Sequence, residues 1–95
     1  MQVVRRPEKA MQKFMVIEHF FPNCKEKIYA RFAESGRMLP EGLFYIDSWL
    51  EKGGDRCFQL METDDPALFE TWIKNWEDLA SFEIVEIGDK PTGDG

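Results

Sequence analysis

Short β-branched and aromatic runs alternate along the chain with two stretches whose apolar residues recur every three or four positions. Phe14-Met15-Val16-Ile17-Glu18-His19-Phe20, bounded by Pro22-Asn23, predicts a first strand. Asn23 then offers an N-cap with Glu26 as its capping-box partner. Ile28, Tyr29, Phe32 and Ala33 share one helical face, and Gly36 supplies a stop. After the loop Arg37-Met38-Leu39-Pro40-Glu41-Gly42, residues 43 to 51 and 56 to 63 read as strands joined at Lys52-Gly53-Gly54-Asp55, a hairpin signal. Asp65 caps a second helix with Pro66 at its first position, and Leu68, Phe69, Trp72, Ile73, Trp76 and Leu79 form its apolar face. Phe82-Glu83-Ile84-Val85-Glu86-Ile87 predicts the last strand.

The order β-α-β-β-α-β predicts a ferredoxin-like α+β fold, a four-stranded antiparallel sheet with both helices on one face because crossovers are right-handed. The domain is expected over residues 13–88, with a flexible N-terminal extension over 1–12 and a disordered C-terminal tail over 89–95, where Gly88 to Gly95 is turn chemistry without apolar residues. The sheet's other face is left to be covered by solvent, a ligand, nucleic acid or a second subunit.

Alternation along the strands sorts residues by face. Size and apolarity assign Phe58 and Leu60, with Met15 and Ile17, to the helix side, and in the second strand Phe44 and Ile46 suit that side better than Tyr45 and Asp47. A regular two-residue turn at Gly53-Gly54 pairs Leu50 with Cys57 and Trp49 with Phe58, which would bury Asp47 beneath the helices, a costly place for a charge. A bulged turn near Gly53-Gly54 removes the conflict. On that register the uncovered face carries Val16, Glu18, Phe20, Tyr45, Asp47, Trp49, Cys57, Gln59 and Met61.

Composition narrows the function classes. Hydrophobic residues make up 43% of the 95, enough for one modest core, and the net charge of −6 with the twelve Lys and Arg scattered argues against nucleic acid and anionic membranes as partners. No apolar run approaches a bilayer's thickness and Arg5-Arg6 leads into Pro7-Glu8-Lys9 rather than a signal-peptide core, so a cytoplasmic protein is expected. Cys24 and Cys57 have no ligand-spaced neighbours; no metal site, no cofactor motif and no disulfide between them is expected.

The strings Met15 to Phe20, Gly36 to Leu43, Asp47-Ser48-Trp49 and Arg56 to Glu62, in this order, resemble the small family named domain of unknown function 3303, and the likeness extends to Asp64-Asp65-Pro66 and Trp76 to Asp78. It covers roughly residues 14 to 87; residues 1 to 12 depart from the family pattern. The resemblance implies a fold similar to the dimeric α+β barrels, in which two ferredoxin-like subunits pack sheet against sheet around a pocket. It implies no reaction.

Two readings of function follow. One is a homodimer that binds a small molecule in a pocket on the open sheet face, or acts there as a cofactor-independent enzyme, with Glu18, Tyr45, Asp47, Trp49 and Gln59 lining the pocket. The other is a dimerisation or protein-interaction module without chemistry, favoured if the hairpin turn is regular or if Asp47 and Gln59 lie on opposite faces. His19 and Arg37 are weaker candidates. His19 cannot touch Glu18, its strand neighbour; Arg37 would either clamp a substrate carboxylate at the pocket mouth or serve the C-terminus of the first helix as a cation. Cys24 reads as an ordinary thiol, and Trp72 and Trp76 read as core.

Overall fold

A computed structural model describes residues 11–88 and Pro91. The elements run β1 (Gln12–Phe20), α1 (Lys25–Ser35), β2 (Leu43–Leu50), β3 (Arg56–Thr63), α2 (Leu68–Ile73) and β4 (Ala80–Ile87). They form one antiparallel sheet in the order β2-β3-β1-β4, the ferredoxin-like α+β arrangement. The extension expected over 1–12 and the tail over 89–95 lie outside the described residues apart from Met11, Gln12 and Pro91, and Gln12 already opens β1 by pairing with Thr63. Among the described residues no helix is long and apolar enough to cross a membrane.

The helices cover the face opposite to the one expected. Phe14, Val16 and Glu18 of β1 are buried on the helix side, with Gln59, Met61 and Thr63 of β3 and Leu43 of β2. Phe69 of α2 meets Phe14 edge to face at 5.0 Å, and Trp72 meets Phe82 of β4 at 5.4 Å. Val16, Met61 and Thr63 are fully enclosed. Met15, Ile17, Phe58 and Leu60 therefore face the open side, where they are only half-buried. Both sets are apolar enough to form a core, so size does not separate them. What decides is that α2 packs on Phe14 and Met61, and that the polar members of that set pair with each other.

The hairpin settles its conflict differently from the expected bulge at the tip. Leu50 pairs with Cys57 and Trp49 with Phe58, the regular register of a two-residue turn, and Gly53 and Gly54 supply the positive φ angles of 103° and 82°. The irregularity lies in mid-strand between Tyr45 and Asp47, where Ile46 is the extra residue. Beyond it Tyr45 sits beside Met61 on the helix side while Asp47 sits beside Leu60 on the open side, so Asp47 is not buried beneath the helices. Phe44 and Ile46, expected under the helices, are half exposed.

Both helix starts also differ in detail. Asn23 does not cap α1: it takes a positive φ of 65° in the turn closed by Cys24 N–H onto the Phe21 carbonyl, with Pro22 before it, and Cys24 holds the N-cap position. Gly36 ends the helix at φ 68° as expected. Asp65 does organise the approach to α2, its Oδ1 accepting the Ala67 N–H at 3.2 Å and its carbonyl the Leu68 N–H at 3.0 Å. The regular helix ends at Ile73, and successive turns carry Trp76 and Leu79 inward.

Candidate functional site between α1 and the sheet

The helix side of the sheet is solid beneath α2 and hollow beneath α1. In α1 only Ile28 is buried, while Tyr29 and Phe32 remain 47% and 42% exposed. The space left is a cavity of about 250 Å³ whose walls include Glu18, Ile28, Phe32, Arg37, Ser48, Cys57, Gln59, Trp72 and Trp76. Its frame is fixed from two directions. Arg31 of α1 forms a bidentate pair with Asp78, both hydrogen bonds at 2.8 Å, and donates to the Asn75 carbonyl at 2.7 Å, which ties α1 to the turn after α2. The indole N–H groups of Trp72 and Trp76 both donate to the Arg37 carbonyl, at 2.9 and 3.2 Å, and so position the loop after α1.

Glu18 is the chemical centre of this space. It pairs across the sheet with Cys57 on one side and Phe82 on the other, and it is only 6% exposed. Gln59 Nε2 donates to Glu18 Oε1 at 2.9 Å. Burial pushes its carboxyl up from the usual range to about 7, while the Gln59 hydrogen bond and the Arg37 charge pull in the opposite direction. Near neutral pH it is therefore poised to give or take a proton. Cys57, next to it, is pushed up to about 11 by burial and by Glu18, with Arg37 opposing, so its thiol stays protonated and is no nucleophile at neutral pH. Both cysteines are free thiols, as expected.

Arg37 forms the mouth. Its Cζ lies 3.5 Å from the centroid of the Tyr45 ring and 4.9 Å from that of Phe32. The Tyr45 hydroxyl and Ser48 Oγ share a 2.6 Å hydrogen bond that braces the wall behind it.

The expected open-face pocket is not formed: Asp47 and Gln59 lie on opposite faces, the outcome that favours the interaction reading for the open face. Glu18 and Gln59 are brought together, and Tyr45 stands near them through Arg37 and Ser48, but all on the helix side. Asp47 and Trp49 lie on the opposite face, with Trp49 50% exposed, because the bulge at Ile46 precedes them. His19 also faces away, in the cross-strand row of Arg56 and Ser81. Of the weaker candidates Arg37 joins the cavity. Sequence reasoning misses Ser48, Cys57, Trp72 and Trp76 as cavity residues; the two Trp residues carry a signal, since buried indole N–H groups demand acceptors. No group of His, Cys, Asp or Glu able to hold a metal occurs among the described residues.

A family model for a domain of unknown function, DUF3303, matches residues 12–89. The chain belongs to the DUF3303 family. The match spans both halves of the helix side, so the packed core and the cavity both lie within the DUF3303 domain. No curated protein and no solved structure matches the chain.

Proposed function

We propose that this DUF3303 protein is a homodimer whose subunits each bind a small organic molecule in the cavity beneath α1, with Glu18 as the proton donor or acceptor of the site. The observation that carries the reading is a buried carboxyl lodged in a mainly apolar cavity with one amide partner, beside a mouth lined by a cation. Its volume lies a little below the roughly 300 to 1,000 Å³ of pockets for drug-sized ligands, so the occupant is smaller than those. With a protonated thiol as neighbour, the chemistry on offer is proton transfer rather than covalent catalysis. A fragment screen followed by NMR tests the reading. Binding should move the indole N–H signals of Trp72 and Trp76 and the Gln59 side-chain amide; if no fragment moves them, the cavity is not a binding site.

The open face supports the dimer and is the observation that favours the interaction reading for that side of the molecule. Val16 and Met61, expected on the open face, are enclosed in the core; Met15, Ile17, Phe58, Leu60, Trp49 and Val85 form the apolar patch instead. Each end of that patch carries both signs of charge, Lys13 and Glu62 at one and Arg56 and Glu51 at the other. A second copy turned about a two-fold axis meets the apolar centre with its own and sets opposite charges against each other. Light scattering should return twice the 11.2 kDa chain mass, and a monomer at micromolar concentration would remove the dimer from the proposal.

A further inference from the structure

Arginine pairing in this domain is uneven. Of the three arginines among the described residues, Arg31 grips Asp78 and Arg56 grips Glu51, each through two hydrogen bonds. Arg37 has no hydrogen-bond or ion-pair partner for its side chain among the described residues, and is held instead by packing and through its backbone. Its carbonyl is held by two indoles and its guanidinium is packed on Tyr45 and near Phe32. Stacking occupies the faces of a guanidinium and leaves its in-plane N–H fork for an acceptor. The fork belongs to a residue of the cavity wall.

Resting on the small-molecule reading above, we infer that the occupant is a carboxylate with an apolar, planar body, its carboxylate held by the Arg37 fork and its body lying against Ile28, Phe32, Leu50, Trp72 and Trp76. The charge of the cavity selects an anion. Arg37 brings a guanidinium to the cavity wall, while Glu18 opposes it with a full negative charge only above neutral pH. A cationic ligand would be repelled by Arg37, and a neutral one would leave its fork unused. The cavity around Glu18 is lined by Arg37 from the loop, Cys57 and Gln59 from β3, Ser48 and Leu50 from β2, Tyr29 from α1, Trp72 from α2 and Trp76 from the turn after it, and on β4 Glu18 pairs with the uncharged Phe82. None of these replaces a ligand carboxylate as the anion for Arg37. An anion bound beside Glu18 also favours its protonated form, so binding above neutral pH takes up a proton.

Phenylacetate, phenylacetamide and 2-phenylethanol make a matched set of probes, read by calorimetry and by the Trp72 and Trp76 indole signals. Phenylacetate should bind roughly 10 to 100-fold more tightly than the two neutral probes. Arg37→Gln should reduce it to the level of the neutral probes in the same variant, and Arg37→Lys should fall between. Titration in two buffers of different ionisation enthalpy should show proton uptake for phenylacetate at pH above 7, absent in Glu18→Gln. Equal binding of all three probes overturns the carboxylate inference and leaves the pocket standing. A carboxylate preference that survives Arg37→Gln overturns the role of Arg37, and silence from the indoles with every probe overturns the pocket itself.

Discussion

The two helices cover the same sheet in opposite ways. Under α2 the strands present Phe14, Val16, Leu43 and Met61, and Phe69 and Trp72 close on them without a gap. Two to five residues away along the same strands the side chains become Glu18, Ser48, Cys57 and Gln59, and α1 stands off with Ile28 as its single buried residue. The change is made within β1, β2 and β3, so neither strand order nor hydrogen bonding accounts for it. It teaches that the fold's stability and its chemistry are separated along the strands. One half buries apolar area to hold the sheet, and the other half gives up packing to hold a carboxyl and a guanidinium around a small, mainly apolar cavity.

That division is tested most severely by deleting one ring from each half. Phe69→Ala removes a 3%-exposed ring and its edge-to-face contact with Phe14, and should cost about 3 to 5 kcal/mol. Phe32→Ala, in the half-exposed wall that α1 gives the cavity, should cost less than about 1 kcal/mol. Urea denaturation measures both, and equal costs would mean that the two halves are packed alike.

The next largest effect is in pH dependence and belongs to the hollow half alone. Glu18 is held at about 7 in the folded chain against 4.5 as its ordinary value. Between these values the folded protein keeps a proton that the unfolded chain releases. The associated stability is fully present below 4.5 and is lost as pH rises through 7. The loss amounts to roughly 3 kcal/mol. Glu18→Gln should flatten the curve across that window and be the more stable protein at about pH 8. A wild-type curve already flat from pH 5 to 8 would show that Glu18 is solvated and that the cavity is not dry.

Element order is legible in the chain because its punctuation is chemical. Gly53-Gly54 can form a tight hairpin, Asp65-Pro66 opens a helix, and Gly36 ends one at positive φ. The site is less legible because alternation divides a strand into two sets without saying which set the helices take. Phe58 and Leu60 look as buriable as Met61, and Met15 and Ile17 as buriable as Phe14 and Val16. The choice rests on tertiary contacts, above all on α2 seating Phe69 against Phe14. Glu18 and Gln59 are read as sharing a face and do so, but on the helix side rather than the open one. Asp47 and Trp49 are misplaced because a single extra residue, Ile46, inverts everything after it, and a bulge in mid-strand carries no glycine to announce it.

The smallest expected effect makes the sharpest distinction. Adding volume to a filled core forces neighbours off their preferred rotamers, whereas adding it to a wall of a cavity replaces empty space by contact. Val16→Leu, in a fully enclosed position beneath the helices, should cost about 1 to 3 kcal/mol. Cys57→Leu, on the cavity wall in the same layer, should change stability by less than about 1 kcal/mol in either direction, since its thiol is protonated and the added methyls enter the space beside Glu18. The same variant should weaken phenylacetate binding, because the new side chain occupies the volume that the ring needs. Thermal melts of the two variants and calorimetry on the second decide the matter together. If Cys57→Leu destabilises as much as Val16→Leu, the space beneath α1 is already closed in solution. If it is neutral yet binding is unchanged, the ligand lies elsewhere and the hollow half is only loosely packed.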